Sequence, residues 1–315
     1  DLREQIELQG SVRLEAIGVD IGRTNVVGED DIWLFDIFSG RRIGIEACLV
    51  PFVIGETVRD WSVSNPPFAI YPYDSIGGKA ITPSGALANH FWIYRTTLSN
   101  RTVFGKTVLD RGEPWYVHLE HYRSKLAKPN SITFAEVATH NHFVLDRGGK
   151  VFKQTAPVIK LRAGSSEDEH LGLLGLLNSS VACFWLKQVC HNKGGGGINE
   201  GHRGDKWEYF YAYNSGKVAE FPLCLDRPLA IARQLDTLAQ QLARVQPASL
   251  FASDLIAGGA YPASAGGHFD PQNPATAAPL PSRASLDADR TQAEQLRGQL
   301  IAWQEELDWE CYGLY

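Results

Sequence analysis

Apolar positions along this chain follow two rhythms, and the change between them sets the expected architecture. From Ser131 the pattern is strand-like. It runs through Ile132-Thr133-Phe134-Ala135-Glu136-Val137-Ala138 and then Asn141-His142-Phe143-Val144-Leu145. A turn at Asp146-Arg147-Gly148-Gly149 leads to a second buried-strand candidate over 156–161. The rhythm then becomes helical. Leu171, Leu174, Leu177, Val181, Phe184 and Gln188 step by three and four and predict one apolar helix. Earlier, 31–36 and 51–56 read as strands, with a short segment at 58–61. Leu87, Phe91, Tyr94, Leu98 and Arg101 recur at helical spacing, so a helix is expected from about Ser84.

The last third changes character. Pro228 marks a helix start with Asp226 as the expected cap. Ile231, Leu235, Leu238, Leu242 and Val245 form one narrow seam; Ala293, Leu296, Leu300, Trp303 and Leu307 form another. Between them, about 247–285 is rich in Pro, Ala, Gly and Ser and reads as an irregular linker. Two seams joined by a linker predict an antiparallel helix pair, a spacer or docking arm. The expected class is α+β, a mixed-sheet domain followed by that long-helix pair. The expected divisions are a β-rich lead-in over 1–45, a domain over 46–222 and the helical arm over 223–315.

Composition adds bounds. No apolar run approaches the roughly 20 residues that span a bilayer, and no signal segment opens the chain, so no membrane partner and a cytoplasmic location are expected. Five scattered cysteines, Cys48, Cys183, Cys190, Cys224 and Cys311, form no CxxC pair and read as free thiols. The chain opens on Asp1 and contains no methionine. It therefore reads either as an excised piece of a longer protein or as one whose methionines are not represented, and partners in the same polypeptide are expected.

Short motifs offer little self-sufficient chemistry. Gly18-Val19-Asp20-Ile21-Gly22-Arg23-Thr24-Asn25 resembles the first phosphate loop of actin-like sugar kinases. Arg23 stands where those kinases carry glycine and no second phosphate loop follows, so a plain turn is expected. Asn65-Pro66-Pro67-Phe68 matches the NPPF tetrapeptide of amino-methylating DNA methyltransferases, where the Asn accepts from the target amino group and the aromatic stacks on a flipped base. Those enzymes need a cofactor loop and several βα units upstream, and 1–64 does not read that way. The tetrapeptide is therefore expected to be a proline turn with an aromatic anchor. The His140-Asn141-His142 pair can ligate metal but reads as local packing, and no metal site is expected. Lys193 with Gly194 to Gly197, followed by Arg203 and Lys206, reads as a loop that orders on a ligand.

Charge singles out one stretch. Residues 89–128 hold seven Lys/Arg against three acids, a local +4 in a chain of −6. His90, His118, His121, Trp92, Trp115, Tyr116 and Tyr122 are interleaved. Cations neutralise phosphates and planar side chains pack on sugars or bases, so this is a candidate nucleic-acid surface. A solvated helix face with aromatics in the core is the alternative.

Four stretches carry a family resemblance: 92–101, 132–161, 171–188 with its Leu173-Leu174-Gly175-Leu176-Leu177-Asn178-Ser179-Ser180 run, and Glu305-Glu306-Leu307-Asp308-Trp309-Glu310. Together they resemble the C-terminal target-recognition region of large adenine-specific DNA methyltransferases. Similar proteins include TaqI-like and type IIG restriction-modification enzymes and the methyltransferases of the BREX and DISARM phage-defence systems. The resemblance implies that this chain selects the DNA sequence and is itself non-catalytic. It implies that methyl transfer and S-adenosylmethionine belong to an N-terminal core of the same polypeptide, with no cofactor held here. Double-stranded DNA, that core and other defence proteins are the expected partners. Expected phosphate contacts are Arg95, Arg101, Lys106, Arg123 and Lys125. Arg111, the segment holding Trp115, Tyr116 and His118, and Lys193, Arg203 and Lys206 complete the candidate DNA-binding set. Two other readings stand beside this one: an intact methyltransferase using Asn65, Pro66, Pro67 and Phe68, and a protein-interaction module of a defence complex.

Overall fold

The structure, a computed structural model, describes residues 1–193, 209–246 and 282–315. Two four-stranded sheets form the centre of the α+β fold. The first orders Phe143–Asp146, Ser131–Phe134, Val158–Lys160 and Asp20–Gly22, all antiparallel. Ile132 faces Leu145 on one side and Ile159 on the other, and Ile159 in turn faces Ile21. The second sheet is mixed. Leu49–Val53 pairs in parallel with Val151–Phe152 and antiparallel with Phe68–Ile70, which pairs with Leu34–Phe35.

Several local expectations shift. The 31–36 stretch begins as a helix, Asp30–Trp33, and only Leu34–Phe35 is strand. The glycine-rich 18–25 segment is a partner strand of the first sheet plus a second strand at Asn25–Val26. The helix expected from Ser84 breaks at Tyr94 into Gly85–Ile93 and Arg95–Ser99. Leu87, Phe91 and Leu98 point inward as the spacing predicts, whereas Tyr94 is exposed.

The apolar helix expected over 171–188 is two helices, Glu167–Leu177 and Ser180–Val189. Side chains cause the break. Asn178 Oδ1 accepts from the Phe143 amide at 2.9 Å, and its Nδ2 donates to the Phe143 carbonyl at 2.8 Å. The amide thus behaves as one more rung on the edge of the first sheet. Ser179 then caps the second helix, its hydroxyl accepting from the Ala182 amide. The break resets the helical face, so Trp185 and Leu186 are buried and Phe184 is exposed.

The two terminal helices are Leu229–Arg244 and Arg283–Leu314. They run antiparallel: Tyr315 Oη donates to the Pro222 carbonyl at 2.7 Å, bringing the end of the long helix beside the start of the shorter one. Pro228 occupies the N-cap position without a side-chain cap, so Asp226 does not serve as expected. Ala293, Leu296 and Leu307 hold the seam; Trp303 lies outside it, and Cys311 and Tyr315 extend it. The shorter helix sits on Glu167–Leu177 because Gly175 leaves room. A Cβ there would meet Pro228 Cγ at 2.8 Å and Ala232 Cβ at 3.0 Å. Arg147 clamps the same junction, donating to Asp236 Oδ2 at 2.7 Å and Glu167 Oε1 at 2.8 Å. No helix among the described residues is long and apolar enough to cross a membrane.

A polar cluster lies inside the core beside the second sheet. Arg101 is 6% exposed, with its guanidinium over the Trp33 ring. It donates to the carbonyls of Leu98, Val27, Trp115 and Val117. Burial draws its pKa down to about 10, which still leaves it charged at neutral pH. His118 is 2% exposed, and its Nε2 meets the Ile70 carbonyl at 2.9 Å. A carbonyl only accepts, so the proton sits on Nε2 of the neutral ring. His121 stacks on Tyr73 and donates from Nδ1 to Asn25 Oδ1 at 2.8 Å. Arg101 and His118 were candidate DNA contacts; burial and main-chain bonding remove both from that set.

Three outcomes follow. Burial pulls the pKa of His118 to about 3 and of His121 to about 4. Both rings are neutral in the folded and unfolded states above pH ~6.5, so no penalty exists there. Below that pH the unfolded chain takes up protons that the folded chain refuses. Stability should fall by about 1.4 kcal/mol per pH unit for each histidine until the folded values are reached. Urea midpoints at pH 7 and pH 5 test this, with His121→Gln expected to flatten the dependence; equal midpoints would refute it. Arg101→Met should cost about 3 kcal/mol or more, since several buried carbonyls lose a charged donor. Arg147→Ala should cost on the order of 3 kcal/mol by leaving the buried Asp236 without a cation, with only the Gln240 amide to hold it, and both costs are read from denaturation at pH 7.

Candidate nucleic-acid interface

With Arg101 inside, the candidate surface reduces to the elements around it. Arg95 opens the Arg95–Ser99 helix, exposed, with its guanidinium 4.9 Å from the Trp92 ring. Trp92 and Ile93 are exposed too. The stack holds a cation and a flat ring together at the surface.

A two-residue hairpin follows Arg101 directly. Thr102–Val103 pairs with Lys106–Thr107, and the tip is Phe104-Gly105. Phe104 has φ +50° and Gly105 φ +76°, positive at both central positions as a type I′ turn requires. Gly105 adopts that conformation freely, but an aromatic residue at the first position is strained. Phe104 is also 93% exposed. Asp110 braces the base, accepting from the Thr107 amide at 2.9 Å and the Thr107 hydroxyl at 2.7 Å. Lys106 is exposed beside the tip.

The remaining candidates differ in their freedom. Arg111 and Arg123 are exposed, each tied to one carbonyl, Leu119 and Gly77 respectively. Lys125 is largely covered and pairs with Asp20 at 3.1 Å. Trp115 and Tyr116 are half-buried and pack around Phe91, so they serve the core more than the surface. Lys193 is exposed at the end of the His191–Lys193 strand. Arg203 and Lys206 lie outside the described residues.

The NPPF tetrapeptide leads into a strand. Phe68 pairs with Pro51 and Phe35 in the second sheet and packs on the core, and the Pro67 carbonyl accepts from the Phe52 amide at 2.8 Å. Asn65 is exposed in a left-handed turn. Sequence reasoning passed over Phe104. The signal for it was a Phe-Gly pair set between two short β-prone dipeptides, the spacing of a tight hairpin.

No family model matches the chain. It is 38% identical over 323 residues to the adenine-specific methyltransferase PglX of Streptomyces coelicolor, a match that covers all of this chain and 24% of that protein. The chain thus spans about a quarter of its relative's length. Among solved structures, the type IIG restriction endonuclease BpuSI is similar with a TM-score of 0.48 and 12% identity, over 97% of this chain and 33% of that one. The type IIL restriction-modification enzyme MmeI, solved in complex with DNA, gives 0.44 and 13%, over 93% and 36%.

Proposed function

We propose that this chain is the DNA target-recognition part of an adenine-specific DNA methyltransferase of the restriction-modification and phage-defence kind. The observation that carries the reading is the 38% identity to PglX along the whole chain. The exposed Arg95–Trp92 stack and the Phe104 hairpin with Lys106 support it from the side of chemistry. In this reading Arg95, Lys106, Arg111 and Arg123 meet phosphates and fix the register of the duplex. Lys193 adds a further cation to that set, and the Arg203 and Lys206 candidates lie outside the described residues. Phe104 stacks against a base or enters a base step, where an aromatic group earns most from leaving water. S-adenosylmethionine would be held by a core outside this chain, and this chain carries no step of the methyl transfer. The tetrapeptide at Asn65, whose Phe68 is paired on both sides inside the second sheet, weighs against the intact-methyltransferase reading.

The test is a titration of the chain against a labelled pool of random-sequence duplexes at several salt concentrations. Affinity should fall steeply with salt, and Arg95→Ala and Lys106→Ala should each lower the slope by about one. Phe104→Asn should weaken binding by roughly 1–3 kcal/mol while the thermal midpoint holds or rises, because Asn relieves the strained turn. Binding that ignores salt, or no binding by the chain and by its parent enzyme, would defeat the proposal.

A further inference from the structure

Asp60, His140 and His142 stand apart from that surface. Asp60 lies in the turn between Val58–Arg59 and Ser62–Val63, which pair as a hairpin. The other turn residue, Trp61, has φ +61°, is buried, and donates Nε1–H to Gln304 Oε1 at 2.9 Å on the long helix. The turn is therefore fixed in place. The two histidines flank Asn141 in the connection between Val137–Ala138 and Phe143–Asp146. Asn141 is buried and donates Nδ2 to the Leu177 carbonyl at 2.6 Å, which pins the connection from beneath.

Two segments eighty residues apart thus deliver three donors to one point. His142 Nδ1 is 2.7 Å from Asp60 Oδ1, and His140 Nε2 is 3.8 Å from the same oxygen. The ring centroids are 4.1 Å apart, and the three donor atoms lie within 4.8 Å of one another. His140 Nδ1 is 3.1 Å from Thr139 Oγ1, an outer contact that leaves Nε2 facing Asp60. Asp60 and His140 also line a cavity of about 470 Å³ whose other wall includes Ile301, Gln304 and Asp308 of the long helix.

We propose that Asp60, His140 and His142 bind a divalent metal ion of the zinc class, with a coordination position left open to the cavity. Two imidazole nitrogens and one carboxylate oxygen are a donor set that zinc favours. Around a tetrahedral ion with bonds of about 2.1 Å, neighbouring donors sit about 3.4 Å apart. The 2.7 and 3.8 Å separations straddle that spacing, and the two histidine nitrogens, within 4.8 Å of each other, reach it by side-chain adjustment on the order of 1 Å. A simple ion pair needs one histidine; the fold supplies two, His142 buried and His140 held by Thr139. The ion would join the Asp60 turn to the histidine turn beneath the long helix. The site stands on its own geometry and does not depend on DNA binding.

The test uses the whole chain stripped of metal with a chelator and titrated with Zn²⁺ against a competing chromophoric chelator. One equivalent should bind and raise the thermal midpoint. Asp60→Asn and His140→Gln should each weaken binding at least tenfold and abolish the midpoint shift. The His140 side chain is 47% exposed, so its substitution leaves the fold intact. His191→Gln, on an exposed strand, should change neither readout. No bound zinc at micromolar free ion, or equal binding by Asp60→Asn and His140→Gln, would overturn the site.

Discussion

Arg101 commits its guanidinium to four main-chain carbonyls drawn from three separated segments, and the surface above it depends on that commitment. Removing a guanidinium from water costs several kcal/mol, and only good hydrogen bonds to fixed dipoles offset it. Here the planar fork meets carbonyls at Val27, Leu98, Trp115 and Val117, while its flat face lies over Trp33. A lysine offers one compact charge and cannot span these directions at once. The network ties the end of the Arg95–Ser99 helix to the 115–117 segment. The hairpin at 102–107 therefore leaves a rigid root. Phe104 is strained and exposed at its tip, and a rigid root is what lets such a tip hold one orientation.

The same network explains which parts of the chain could be read beforehand. Apolar runs at 131–134, 143–146 and 158–160 were legible because every one of their residues is buried and turn residues bound them. The antiparallel helix pair was legible from its seams. The break at Asn178 was not, because it comes from a side-chain amide pairing with Phe143, a partner 35 residues away. Trp303 and Tyr94 fit a helical face by spacing alone, yet the helices turn them outward.

Arg101 and His118 misled for a related reason. Charged and polar residues default to the surface in a sequence, and nothing local announces carbonyl partners at Val27 or Ile70. Phe104 escaped notice for the opposite reason, since an aromatic residue defaults to the core. The turn geometry that places it outside is set by two positive φ values that only a structure displays. Sequence marks 89–128 as a candidate region; which of its side chains stay exposed is decided by long-range bonding.

Charge is divided along the molecule as well. The Arg283–Leu314 helix carries seven acidic residues against three arginines, a net of −4, whereas 89–128 carries +4. A helix of that sign is repelled by a phosphate backbone, and the repulsion grows as salt falls. Yet it is anchored firmly to the sheet domain. Gln304 accepts from Trp61 and donates to the Asn178 carbonyl, and Asp308 Oδ1 accepts from the Ser180 amide at 2.7 Å. Ile301, Trp309 and Tyr312 remain exposed along it. In the proposed function, an acidic arm fixed to a domain that carries a cationic stretch disfavours approach of a duplex from the arm's side. Under the proposed DNA-binding reading, the local field and not the overall charge of −6 sets how the chain would meet a polyanion.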